Sequence, residues 1–78
     1  MDWKTAKVPQ GSKLFKQHNF IYMHKGVTYT LEIDEYHDNS FAGHGENSTD
    51  KNFIIESVSG KSVVDCLNGL IQKITGRT

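Results

Sequence analysis

From Asn19 onward, apolar side chains alternate with polar ones. "NFIYMH" and "VTYTLEIDEY" flank Lys25-Gly26, a two-residue loop of the kind that closes a β-hairpin. With that loop as the turn, His24 stands opposite Val27, Tyr22 opposite Tyr29 and Phe20 opposite Leu31. Side chains alternate along a strand, so Phe20, Tyr22, Val27, Tyr29, Leu31 and Ile33 share one face. Ile21, Met23, Thr28, Thr30, Glu32 and Asp34 share the other. The first face predicts a core, the second a mostly wetted surface. "HDNS" is a second turn, because Asp38 and Asn39 bond nearby backbone and tolerate left-handed conformations. With those two at its tip, Tyr36 stands opposite Phe41 and a third strand runs back through "AGHGE". Gly43 and Gly45 there predict a bulge or a close backbone approach. "NSTDKN" is a loop, and "FIIESV", Phe53 to Val58, is apolar enough to predict an interior fourth strand.

The period then changes. Ser62 stands at a helix N-cap position with Asp65 three residues on, an acidic variant of the capping box. Val63, Val64, Leu67, Leu70, Ile71 and Ile74 fill one arc, with Asp65, Asn68, Gly69 and Gln72 opposite. Gly76 stands where a C-terminal cap belongs. Gly69, placed on the polar side, costs about 1 kcal/mol against alanine without an evident return. The fold expected is α+β: an antiparallel meander of about four strands with one C-terminal amphipathic helix packed on one face. It occupies residues 19–78. Residues 1–18, with no sustained period and the only proline, form an N-terminal basic arm or loop. Trp3 in that arm is expected to pack on the domain or on a partner.

Seventy-eight residues make one domain with a small core, which supplies about 3–5 kcal/mol unless a partner or staple adds to it. A single cysteine, Cys66, excludes an internal disulfide and a Cys-based zinc site. Its place beside Leu70, on the flank of the apolar arc, suits a packing residue rather than a nucleophile paired with His18, His24, His37 or His44. The longest apolar run, "FIYM", is far below the roughly 20 residues of a membrane helix. With no secretory leader visible, the chain is expected to be cytoplasmic and to have no membrane partner. Net charge is zero but unevenly spread. Residues 1–26 carry five lysines against Asp2, and residues 27–60 carry seven acids against Lys51. A neutral total lacks the broad positive field that drives phosphate binding.

The densest chemistry is "DEYHDNSFAGHGE", residues 34–46. Its acids lack the alternate spacing of a calcium loop. A zinc or other transition-metal site would recruit His37 and His44 with Glu35 or Glu46. Strand geometry opposes that, since Asp34 and Glu35 point to opposite faces and the expected register sets His44 across from Ile33, on the core side. The stretch is therefore read as a solvated hairpin tip, with no catalytic, cofactor or metal residue. "SGKS" fails as a phosphate loop because Ile55 stands where its first glycine belongs.

What remains is a non-enzymatic binding or accessory protein that docks to another macromolecule, a protein partner or a second copy. The candidate contacts are Trp3, Lys4, Lys7, Lys13 and Lys16 of the arm with the acids Asp34, Asp38 and Glu46. The runner-up is a nucleic-acid module using Lys4, Lys7, Lys13 and Lys16 beside aromatic residues. The order of strands before one helix, with "SGKSVVDCLNGLI" opening that helix and "IDEYHDNSF" as an acidic tip before an aromatic, resembles the HicB-like antitoxins. The proline-bearing loop that this family carries before its helix is missing. The resemblance implies a small protein that neutralises a partner, a reading ranked below the other two.

Overall fold

The computed structural model describes residues 2–77. Lys25 and Gly26 have φ of 50° and 77°, the paired left-handed values of a tight hairpin turn whose twist matches its strands. They join β1 (Phe15–His24) to β2 (Val27–Tyr36) in the expected register, with Tyr22 opposite Tyr29 and Phe20 opposite Leu31. Strand β1 starts at Phe15 rather than at Asn19. Long-range contacts extend it: the Phe15 and Tyr36 rings lie 5.3 Å apart, and the Leu14 carbonyl accepts from His37 N–H at 3.1 Å.

The second hairpin departs from expectation. Asn39 N–H donates to the Tyr36 carbonyl at 3.0 Å, and Tyr36 N–H donates to the Ser40 carbonyl at 2.9 Å, with Asn39 at φ 71°. This is a three-residue loop closed by a left-handed residue, not a two-residue turn. The extra residue shifts β3 (Phe41–Asn47) by one, so that Phe41 pairs with Glu35 instead of Tyr36. A one-residue shift turns every β3 side chain to the other face. His44 therefore stands opposite Glu32, not Ile33, and lies on the outer face of the sheet.

The fourth strand is also displaced. Strand β4 is Val58–Gly60, paired with Phe41–Gly43, and Phe53–Ser57 keeps only a bridge between Ile54 and Glu46. Between these pairings His44 and Gly45 face three residues, Ile55, Glu56 and Ser57, and the surplus residue breaks the ladder. Phe53 and Ile55 still pack on the core, while Ile54 is exposed. Arg77 fastens this segment, its guanidinium 4.1 Å from the Phe53 ring centre and donating to the Ile54 carbonyl.

The sheet order is β1-β2-β3-β4, antiparallel throughout. Helix α1 (Val63–Thr75) is capped by Ser62 Oγ, which accepts from Asp65 N–H at 3.0 Å. The Asp65 carboxylate reaches back to Lys61 N–H, also at 3.0 Å. Gly76 caps the other end in a right-handed conformation, donating its N–H to the Gln72 carbonyl at 2.9 Å. Cys66, Leu70 and Ile74 form the buried face, against Tyr29, Leu31 and Ile33 of β2. Cys66 is thus central rather than flanking, and Val64, counted into the apolar arc, faces solvent. The helix packs on β2, β3 and β4.

Two glycines set how closely the layers approach. A Cβ on Gly43 would lie 2.9 Å from Val58 Cγ2 and 3.1 Å from both Ile33 Cδ1 and Leu70 Cδ1. Gly69, expected on the polar side, is turned towards β4, where a Cβ would sit at an ordinary 3.4 Å from Val58 Cγ1.

Candidate functional site

Three places gather the charged side chains that the sequence singles out and the exposed edge of the sheet. The first is the arm. Asp2 accepts from Lys4 N–H at 3.0 Å and starts a single 3₁₀ turn, Trp3–Thr5. That turn sends the Lys4 ammonium to Glu35 Oε2 at 2.7 Å and to Asn39 Oδ1 at 2.6 Å. The ammonium also lies 5.7 Å from the ring centres of Trp3 and Phe41. His37 Nε2 bonds the Ala6 carbonyl at 2.8 Å, and its ring meets Trp3 edge-on at 6.3 Å. Trp3 and Lys4 are therefore engaged within the chain, tying the arm to the β2–β3 turn. Lys7, Lys13 and Lys16 are exposed. Asp38 is exposed too, but its Oδ1 accepts from Ser40 N–H and Oγ, at 3.1 and 2.6 Å, and shapes the turn.

Glu35 joins the arm to the sheet, since its other oxygen lies 2.9 Å from His18 Nε2. Lys4 first, then His18, holds this carboxyl below its ordinary 4.5, against a smaller opposing effect of burial. A carboxyl depressed in the folded state stabilises fully above its unfolded pKa, and that contribution fades as pH falls through the folded value. Glu35→Gln should lower stability by about 1 kcal/mol at neutral pH. Thermal melts across the acid limb should show the gap to wild type closing as the pH drops; a gap independent of pH would contradict this role.

The second place is the outer face of the sheet. Glu32 and Asp34 project there from β2 and His44 from β3. One ligand atom from each lies within 4.8 Å of the other two. Asp34 Oδ2 is 3.3 Å from His44 Nε2. Asp34 is only 5% exposed, and its Oδ1 is buried without a hydrogen-bond partner among the described residues. The hydrogen-bonding contact with Asp34, burial, and the Asp34 charge push the Glu32 carboxyl up; His44 and Gln17 oppose them. Glu46 lies further along the same face, exposed and 4.0 Å from Lys51 Nζ. His37 is not part of this group. Strand alternation makes the Glu32–Asp34 pairing legible in the sequence, whereas the side that His44 takes depends on the turn.

The third place is the β1 edge. His37 N–H and the Tyr36 backbone groups bond on opposite sides of β2, which fixes the alternation along both strands. Lys16, His18, Phe20, Tyr22 and His24 turn their backbone groups to β2, and Phe15, Gln17, Asn19, Ile21 and Met23 turn theirs away. Ile21 and Met23 are 66% and 68% exposed on the outer face, and Phe20 is 36% exposed on the inner one.

Cys66 is a free cysteine, buried at the helix–sheet contact. Burial, and then the Asp65 charge, push its thiol up and keep it protonated. Among the described residues no helix is long and apolar enough to cross a membrane. Comparison with known proteins finds no matching family model, curated protein or solved structure, so the HicB-like resemblance rests on the quoted residues alone.

Proposed function

We propose that this protein is a non-enzymatic binding module that docks through the β1 edge to a second copy of itself. The observation that carries this is a ten-residue edge strand with large apolar side chains exposed on both faces. An edge of that length invites strand addition, and edges kept monomeric are usually short, charged or covered. From Gln17 to His24 this one holds no lysine, arginine or acid. Such a neutral run meets no like charge in its own copy. In an antiparallel pairing centred on Asn19, Phe15 would face Met23 and Gln17 would face Ile21, joining two four-stranded sheets into one. Of the four lysines that a nucleic-acid module would use, Lys4 is held by Glu35 and Asn39, and Lys7, Lys13 and Lys16 are exposed.

Sedimentation equilibrium of the wild type and of Ile21→Lys tests this. The wild type should have the mass of two chains and keep it in high salt, because backbone pairing and apolar burial are little screened. Ile21→Lys, an exposed substitution that leaves the core alone, should have the mass of one. A monomeric wild type at millimolar concentration, or a dimer indifferent to Ile21→Lys, would overturn the proposal.

A further inference from the structure

Glu32 and Asp34 are two apart on β2, and the left-handed Asn39 turn brings His44 directly opposite Glu32. The result is two carboxylates and one imidazole converging on a rigid sheet face. An Asp34–His44 pair alone would account for one Asp34 oxygen. It would leave the other, Oδ1, buried and without a hydrogen-bond partner among the described residues, with the Glu32 carboxylate close by. A cation placed among the three would answer both. We propose that Glu32, Asp34 and His44 form a binding site for a divalent transition-metal ion, zinc being the best fit.

The donor set favours that class. Imidazole with carboxylates suits zinc and its first-row neighbours, whereas calcium and magnesium seek several oxygens and no nitrogen. Zinc with ligands at about 2.0–2.1 Å in tetrahedral array holds them about 3.3–3.4 Å apart. The Asp34–His44 separation of 3.3 Å already meets this. Glu32, the longer carboxylate, closes the remaining gap by side-chain rotation. Gln17, opposite Asp34 on β1, shares the outer face of the sheet with Glu32. The His44 side chain is half exposed, so water completes the coordination. This site stands apart from the docking proposal and does not depend on it.

The test is a titration of the tag-free full chain with zinc chloride, followed by NMR of the histidine rings and backbone amides. A saturable one-to-one change should appear at the His44 ring and at the Gln17, Glu32 and Asp34 amides, with the His18, His24 and His37 rings unmoved. At ten times the dissociation constant the melting temperature should rise by about 5–10 °C. His44→Gln should weaken binding at least about tenfold, consistent with the loss of one ligand of three. Asp34→Asn should do the same; if that buried variant fails to fold, the half-exposed His44 variant carries the test. No saturable change, changes centred on another histidine, or wild-type affinity in His44→Gln would each overturn the assignment.

Discussion

Leu70→Ala is expected to lower unfolding free energy by about 2–5 kcal/mol, the range for removing a buried leucine from a core that cannot fully collapse. Leu70 is fully buried and sits at the centre of the helix–sheet contact. Its Cδ1 reaches to within 3.1 Å of where a Gly43 Cβ would lie, so the leucine fills the space that the glycine leaves. Among the described residues the buried apolar cluster is six side chains, and a core that small holds only about 3–5 kcal/mol in total. The variant should therefore be largely unfolded at room temperature. Urea denaturation followed by circular dichroism would show it; a loss below about 1 kcal/mol would mean that α1 is not seated on the sheet as described.

Gly43→Ala is the complementary case, and its sign is the informative part. A glycine inside a strand ordinarily costs about 0.5–1 kcal/mol relative to alanine, so the substitution would be expected to stabilise. Here the added carbon would meet side chains from three elements: Val58 of β4, Ile33 of β2 and Leu70 of α1. None is the far end of a flexible polar chain that swings aside cheaply. The expected result is a loss of about 1–3 kcal/mol from overpacking. A stabilised Gly43→Ala would place β3 in the other register, with residue 43 facing water.

That register is also where sequence reasoning stopped short. The first hairpin was legible because Lys25-Gly26 suits a two-residue turn that makes one face apolar on both strands. In the second, Asp38-Asn39 is compatible with a two-residue tip or a three-residue loop with Asn39 left-handed, and nothing local separates them. The choice moves His44 from one face to the other. The apolar run Phe53 to Val58 predicts an interior strand, yet a surplus residue breaks its pairing between Ile54 and Val58, with Phe53 and Ile55 packed on the core and Ile54 exposed. The helix was legible from its caps and period, although Cys66 rather than Val64 lies at the buried centre. Packing of Trp3 was expected, but the reach of Lys4 to Glu35 and Asn39 left no local signal. Long-range pairings of this kind depend on which strands neighbour each other.

The β1 edge carries the functional proposal, and residue-resolved amide hydrogen exchange over a range of protein concentrations tests it most directly. The His18, Phe20 and Tyr22 amides, which face β2, should be protected at every concentration. The Gln17, Asn19 and Ile21 amides face away from it and should gain protection together as concentration rises and a second β1 pairs with the first. If those three exchange freely at every concentration, the edge stays open and the module does not work by pairing with itself.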